Sequence, residues 1–217
     1  HAGGESRRLP CYAPEGKLFA PVPVPSSSVI PPVVLDMQLS LFFRYPWREG
    51  EVVITSGDVI LDFDTDAVPA DRGHICGFAK PASVEEGSRH GVFTFDSRMR
   101  AVTDFLQKAA PAHLSQRALL EGTAECALDI GVISLSPHAA AAFAAFTDTP
   151  IDKSTRIEDL LRNGALSCDV YLEILTACLR SLDRNEFLER VSPTSRLDAP
   201  LLVKLYDAFH QFPLQGV

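Results

Sequence analysis

Short apolar strands and helical segments alternate along the first two thirds of the chain, and helices dominate the rest. This spacing predicts an α/β domain with a mostly parallel or mixed sheet and a helical C-terminal addition. Residues 1–150 would form the α/β core, and residues 151–217 would extend the same domain. Because the chain opens on a glycine loop with no strand before it, we interpret it as a portion of a longer polypeptide.

Periodicity and end signals place the individual elements. The apolar positions at 33–45 predict a buried helix, and the run at 52–63 predicts two short strands around a turn at 56–58. Ser136-Pro137 and Asp198-Ala199-Pro200 are typical of helix starts. Strands are further predicted at 73–79, 91–96, 101–108 and 126–135, and helices at 137–148, 167–183 and 198–211.

The composition argues against several classes of protein. Hydrophobic residues make up 46% of the chain, and the formal net charge of -8 disfavours a nucleic acid partner, which would require clustered basic residues. No apolar run approaches the ~18 residues of a membrane span. The five cysteines are odd in number and show no C-x-x-C spacing, so we expect reduced thiols in a cytoplasmic protein.

Two segments near the start could hold phosphate. The letters GGESRR at 3–8 and GK at 16–17 combine glycines with basic side chains. Glycine lets backbone N–H groups approach phosphate oxygens closely. Arg8 offers a planar fork of donors and Lys17 a mobile charge, which together could stabilise charge on a reacting phosphoryl group. A loop with ordinary surface cations remains an alternative from these residues alone.

Carboxylate, imidazole and ammonium groups follow or interrupt the predicted strands. Asp58 follows an apolar strand and could hold Mg²⁺, although an ordinary turn aspartate is the better explanation of this residue taken alone. Asp129 interrupts an apolar strand, where a carboxylate requires a partner or a ligand. His90 could bind a sugar hydroxyl or a base edge, but it could also be an ordinary turn histidine before a strand. Lys108 ends a strand and could also be an ordinary solvated surface lysine. No G-x-S-x-G elbow or Cys–His pair is visible, which suits direct phosphoryl-group transfer.

The order of these segments resembles the L-fucose-1-phosphate guanylyltransferase module of bifunctional fucokinase/GDP-fucose pyrophosphorylase enzymes. The opening HAGGESRRLP at 1–10 is the most specific part, and the likeness covers nearly the whole chain. The other segments are YAPEGK at 12–17, SGDV at 56–59, HGVF at 90–93, FLQK at 105–108, LDIG at 128–131 and CDVY at 168–171.

The resemblance implies a Rossmann-like, glycosyltransferase-A-like nucleotidyltransferase core that acts on GTP, a sugar-1-phosphate and Mg²⁺. It implies catalytic roles for Arg8, Lys17 and Asp58, with Asp58 as the metal ligand. It also implies nucleotide binding by Gly3, Gly4, Ser6, Arg7 and Gly57, and substrate binding by His90, Lys108, Asp129 and Asp169.

Other functions stay open at this point. The chain could be a non-catalytic or regulatory domain of a larger sugar kinase, to which it could also be fused as an active module. It could instead be a pyrophosphorylase for another sugar-1-phosphate. A sugar kinase proper ranks last, because no kinase-type glycine-rich phosphate loop is present.

Overall fold

The computed structural model of the chain describes residues 17–25, 29–57, 59–96 and 101–217, with Lys17 described by its backbone alone. Six strands in these ranges form one sheet. They are β1 (Val52–Thr55), β2 (Ile75–Ser83), β3 (Gly91–Phe95), β4 (Val102–Gln107), β5 (Glu125–Leu135) and β6 (Leu214–Gly216).

Helices cover both faces of this sheet. The α-helices are α1 (Val34–Arg44), α2 (Val84–Gly87), α3 (Pro111–Arg117), α4 (Pro137–Thr147), α5 (Ile157–Arg162), α6 (Arg184–Val191) and α7 (Ala199–Phe209). Short 3-10 helices occupy Lys17–Phe19 and Thr65–Ala67, and a π-helix occupies Val170–Leu175.

The sheet is mixed, with mostly antiparallel pairs, so the mixed alternative of the prediction is confirmed and the mostly parallel one is wrong. Its order is β4–β3–β5–β2–β6, and β1 pairs with β5 as well. Of the described pairs, only β2–β6 is parallel. Residues 96–101, which join β3 to β4, are too few for the crossover that a parallel pair requires. The chain is a mixed α/β domain, and the finer glycosyltransferase-A-like assignment remains a prediction.

The main core lies between one face of the sheet and the C-terminal helices. Ile75, Phe93 and Ile133 point from the strands toward Leu202 and Phe209 of α7, and all five side chains are fully or nearly fully buried. The segment after residue 150 supplies most of this helical layer, and it then returns to the sheet as β6 beside β2. The opposite sheet face is therefore left for α2, α3 and the loop that follows β1.

The sequence predicted three of the helices correctly, two of them from their N-cap residues. Ser136 accepts the Ala139 N–H at the start of α4, and Asp198 accepts the Leu201 N–H at the start of α7, as the sequence predicts. Helix α1 forms as predicted, but its burial was overestimated because only Gln38 and Leu41 are buried in it. None of the helices in the described ranges is long and apolar enough to cross a membrane.

Two predicted elements differ in the structure. The second strand expected within 52–63 is absent, because residues 59–64 run without regular structure before the 3-10 helix. The long amphipathic helix expected at 167–183 is instead the π-helix with two further helical residues. Residues 173–179 are buried one after another, so this segment has no exposed stripe to continue a surface helix. Helices α2, α3, α5 and α6 and strand β6 were not predicted.

Candidate active site

A cavity of about 910 Å³ lies beside the middle of the sheet, with Tyr171 of the π-helix among the residues that line it. Residues 59–69, between β1 and β2, form one wall, and the other is formed by the start of β3, the end of β4 and the middle of β2 and β5. Three of the residues predicted to bind substrate line it together, namely His90, Lys108 and Asp129. They come from three separate stretches of sequence, so the fold itself brings them together.

The remaining predicted site residues lie elsewhere or outside the described ranges. Gly57 is buried in the turn after β1, next to Ser56 on the cavity wall. Asp169 lines a second cavity, of about 560 Å³, and its carboxylate caps the π-helix by accepting the N–H groups of Tyr171 and Leu172. The described residues do not include Gly3, Gly4, Ser6, Arg7, Arg8 and Asp58, nor the side chain of Lys17, so the roles predicted for them stay predictions.

Lys108 occupies a strained backbone position at the rim of the cavity. Its φ is 49°, the only positive φ of a non-glycine residue in the described ranges. The Lys108 N–H donates to the His90 carbonyl at 2.8 Å, which fixes the residue where β4 ends beside the turn into β3. Left-handed backbone costs a residue with a side chain free energy and is concentrated at functional sites. The local fold therefore holds Lys108 in place at this rim.

A bulge in β5 turns Asp129 toward the cavity. Gly77 pairs with Ile133 and Ala79 with Asp129, so two steps along β2 correspond to four along β5. Gly131 allows this bulge with a φ of 74°. On its other edge β5 pairs first with β3 and then with β1, and residues 129–131 fall in the gap between them. A bulge of this kind commonly re-aims a side chain beside an active site.

The same bulge ties Asp129 to the loop that carries the predicted metal residue. The Asp129 carboxylate accepts the Gly131 N–H at 3.0 Å, and the Gly131 carbonyl accepts the Ser56 N–H at 2.9 Å. Burial raises the pKa of Asp129, although the Gly131 N–H, the Tyr171 hydroxyl and the charge of His90 lower it in part. Asp129 is thus a shielded acceptor directly beside the end of β1.

The cavity carries cations that suit an anionic ligand. Lys80, Arg89 and Lys108 all line it, and only Lys80 forms a salt bridge with another described residue, to Glu86 at 3.0 Å. An exposed guanidinium and an ammonium without carboxylate partners are available for phosphate oxygens. Sequence reasoning missed Arg89, although it directly precedes His90, and it also missed Tyr171.

The described carboxylates do not form a complete magnesium site. Asp62, Asp64 and Asp129 all line the cavity, yet no three His, Cys, Asp or Glu side chains of the described ranges group as a metal site requires. The expectation of Mg²⁺ therefore depends on Asp58, and no reaction step is derived through the ion.

Comparison with known proteins identifies the family. The model of the fucose pyrophosphorylase domain matches residues 1–217. The chain belongs to this family. The resemblance seen in the sequence is thereby confirmed, and the cavity lined by His90, Lys108 and Asp129 becomes the candidate active site of a fucose pyrophosphorylase domain.

Curated relatives agree with that assignment. An L-fucokinase/L-fucose-1-P guanylyltransferase of Bacteroides fragilis is 32% identical over 64% of this chain and 15% of its own length. A bifunctional fucokinase/GDP-fucose pyrophosphorylase of Arabidopsis thaliana is 32% identical over 62% of this chain and 14% of its own. A fucose-1-phosphate guanylyltransferase of Mus musculus is 30% identical over 45% and 17%. The chain thus matches less than a fifth of the length of these relatives.

Proposed function

We propose that this fucose pyrophosphorylase domain forms GDP-fucose and pyrophosphate from GTP and L-fucose-1-phosphate. One observation carries the proposal: a single cavity gathers an imidazole, a shielded carboxylate and two cations that form no salt bridge with another described residue, all from distant parts of a chain that matches this family throughout. A sugar-1-phosphate has an anionic end and a hydroxylated ring, and the two kinds of group in the cavity match those two ends.

In this reaction the protein positions the substrates and stabilises their negative charge, and it does not form a covalent intermediate. An oxygen of the sugar phosphate attacks the α-phosphorus of GTP, the bond from that phosphorus to the β-phosphate oxygen breaks, and pyrophosphate leaves. Lys108 and Arg89 would hold the sugar phosphate against the repulsion of the triphosphate, and Asp129 would accept from sugar hydroxyls. His90 would contact a hydroxyl beside them. Arg8 and Lys17 would stabilise the charge on the reacting phosphoryl group.

Cofactor, compartment and partner belong to the same proposal. Mg²⁺ held through Asp58 would neutralise charge on the triphosphate. The unpaired, buried thiols of Cys76, Cys126 and Cys178 are compatible with a reducing cytoplasm. The names of two relatives join a fucokinase to the guanylyltransferase, which supports a sugar kinase as a partner in the same polypeptide.

Pyrophosphate release tests this function directly. The protein is incubated with GTP, Mg²⁺ and a panel of sugar-1-phosphates, and pyrophosphate is measured by an enzyme-coupled assay. We expect release with L-fucose-1-phosphate to exceed release with the other sugars. Release only with a different sugar-1-phosphate would correct the substrate, and no release with any of them would refute the proposed activity.

Changing Arg8 to alanine is expected to lower kcat by about 100-fold or more, because a preorganised charge at the reacting phosphoryl group is lost. The far-UV circular dichroism spectrum should stay unchanged, which would show that the loss is one of chemistry and not of the fold. The control is Arg162→Ala, which removes an exposed arginine of α5. Equal kcat values for the Arg8 and Arg162 variants would remove Arg8 from the mechanism.

A further inference from the structure

We propose that Asp62 is a specificity-determining residue, whose carboxylate accepts hydrogen bonds from hydroxyl groups of the sugar, and that Gln38 is its positioning residue. This inference deepens the proposed function and rests on it. Asp62 lies in the wall segment 59–69 and lines the cavity, and Gln38 lies on α1 and contacts that segment. The sequence segments that resemble known enzymes include neither residue.

The charged side chains of the cavity are divided between its two walls. Segment 59–69 contributes Asp62 and Asp64, and it contains no lysine, arginine or histidine. Among the described residues that line the cavity, the other wall holds the carboxylates of Glu86 and Asp129 and every lysine and arginine, namely Lys80, Arg89 and Lys108. A sugar-1-phosphate would therefore direct its phosphate to the cations, which leaves its hydroxyl groups for the acidic wall.

The wall segment turns Asp62 away from the protein interior. Residues 59–64 alternate between partly buried and exposed side chains, which is the pattern of an extended chain. Leu61 and Phe63 pack against a buried cluster that includes Phe78, and the Phe63 and Phe78 ring centroids are 6.1 Å apart. The side chain between them, that of Asp62, is therefore exposed where it lines the cavity.

The carboxylate of Asp62 is available to a ligand, whereas that of its neighbour Asp64 is already engaged. Asp64 accepts the Asp66 N–H at 3.0 Å and thereby caps the 3-10 helix. Within the part of the chain that the structure describes, the Asp62 carboxylate takes part in no hydrogen bond or salt bridge. An ionised carboxylate has about four acceptor sites, and sugar hydroxyl groups are donors that can fill them.

Gln38 fixes the backbone beside Asp62. Its side chain is only 2% exposed, and its Nε2 donates to the Leu61 carbonyl at 3.3 Å. This carbonyl belongs to the peptide bond that joins Leu61 to Asp62, so the hydrogen bond restricts the direction of the Asp62 side chain. Because residues 59–64 lack regular structure, a contact from a buried side chain supplies the preorganisation that the segment itself does not have.

Asp62 and Asp129 would then accept from different hydroxyl groups of the same sugar. The two carboxylates lie on different walls of the cavity, so one hydroxyl group cannot serve both in the same way. An analogue that lacks one of these hydroxyl groups loses a charge-assisted hydrogen bond and binds more weakly. Asp62 would thereby contribute to the choice of sugar.

Changing Asp62 to alanine removes every acceptor of the side chain. We expect the KM for L-fucose-1-phosphate to rise about 10-fold or more, because hydrogen bonds to a charged group are lost, while the KM for GTP stays unchanged. The matched control is Asp66→Ala, which removes an equal charge from an exposed residue that does not line the cavity.

Two results would overturn the role of Asp62. An equal rise of the KM for the sugar phosphate in the Asp62 and Asp66 variants would show a general effect of charge. A raised KM for GTP together with a higher requirement for Mg²⁺ would make Asp62 a metal ligand instead.

Monodeoxy analogues of L-fucose-1-phosphate identify the hydroxyl groups. At least one analogue should be a poor substrate of the original protein and lose no further kcat/KM with the Asp62→Ala variant. Full additivity of the analogue and variant effects for every position would show that Asp62 does not take part in reading the sugar.

Changing Gln38 to leucine tests the positioning role, since leucine fills a similar volume but cannot donate to the Leu61 carbonyl. We expect the KM for L-fucose-1-phosphate to rise about 3-fold or more in the original protein and no further in the Asp62→Ala background, because Gln38 acts through Asp62. An equal rise in both backgrounds, or none in either, would overturn the positioning role.

Calorimetry separates the inference from the proposed function, because it requires no turnover. L-fucose-1-phosphate is titrated into each protein with Mg²⁺ and α,β-methylene-GTP, whose bond between the α- and β-phosphates does not break. We expect Asp62→Ala to raise the Kd about 10-fold. A raised Kd in a protein that turns over no sugar-1-phosphate would keep Asp62 as a sugar-binding residue and refute the proposed activity. Turnover with an unchanged KM and Kd in the variant would overturn the inference alone, and no binding of any sugar-1-phosphate would overturn both.

Discussion

Replacing Arg72 with methionine is expected to lower the free energy of unfolding by about 3 kcal/mol, because it removes the fully buried partner of the Glu51 carboxylate and leaves only the partly exposed Arg48 guanidinium to pair with it. Both side chains are fully shielded from solvent, and the Arg72 Nη2 lies 2.5 Å from the Glu51 Oε2. A second bond joins the Arg72 Nε to the Glu51 Oε1 at 2.9 Å. Urea unfolding followed by the fluorescence of Trp47 measures the change.

The stability that Arg72→Met loses should depend on pH and should decrease as the pH falls. Burial alone would raise the pKa of Glu51, but hydrogen bonds from Arg72, Ser134 and the Arg48 N–H hold it at about 2, below its ordinary 4.5. The stabilisation by Glu51 is therefore fully present above pH 4.5 and is lost as the pH falls toward 2. Without Arg72, only Ser134 and Arg48 oppose the effect of burial, so the pKa of the folded carboxyl rises and it takes up a proton more readily. The deficit should accordingly be smaller at pH 3 than at pH 7.

Two controls separate the buried pair from ordinary surface charge. Arg162→Met breaks an exposed pair with Glu158 on α5 and should cost less than about 1 kcal/mol. The double variant Glu51→Gln, Arg72→Met removes the buried charge as well as its buried partner and should recover part of the stability. A deficit for Arg72→Met alone that matches Arg162→Met, or that does not change with pH, would contradict this account.

The buried pair also supports the cavity wall. Arg72 donates to the Pro69 carbonyl at 2.9 Å, at the end of the wall segment 59–69, and to the Pro46 carbonyl at 2.8 Å. Its guanidinium also lies over the Tyr45 ring, 5.1 Å from the centroid. Because the wall itself has little regular structure, these fixed contacts at its end help to keep the cavity open.

Sequence reasoning found the elements that local chemistry specifies. The strands near 91–96, 101–108 and 126–135 formed because β-branched and aromatic residues recur there between turn residues. Whether two strands pair in parallel or antiparallel could not be predicted in this way. The alternation of strands and helices along the chain does not determine which strands become neighbours. The short connection between β3 and β4 was the available signal for an antiparallel pair.

Residues of the candidate site could be predicted where a sequence motif contains them. Features that depend on contacts between distant parts of the chain could not. His90, Lys108 and Asp129 were identified from their positions at strand ends or within a strand, and they do meet in one cavity. Gly131 could have signalled the bulge in β5. The pairing of Glu51 with Arg72, 21 residues apart, has no local signature. Tyr171 was missed because its segment was interpreted as a surface helix.

Replacing Lys108 with glycine is expected to lower kcat/KM for L-fucose-1-phosphate by about 100-fold, while the fold is kept or slightly stabilised. The loss follows because the variant lacks the ammonium that we propose binds the substrate phosphate. The stability gain follows because glycine adopts the left-handed backbone at φ 49° without the cost that a side chain carries. Pyrophosphate release and urea unfolding measure the two effects separately.

Lys108→Ala is the matched control, because it removes the same ammonium but keeps a Cβ in the strained conformation. Both variants should lose kcat/KM about equally, whereas the alanine variant should be about 1 kcal/mol less stable than the glycine variant. The Lys108 N–H to His90 carbonyl bond of 2.8 Å is available to both. A glycine variant with the original kcat/KM would show that the strained position serves the turn alone. An activity loss in alanine but not in glycine would place the effect in the backbone, and the ammonium would have no part in binding phosphate.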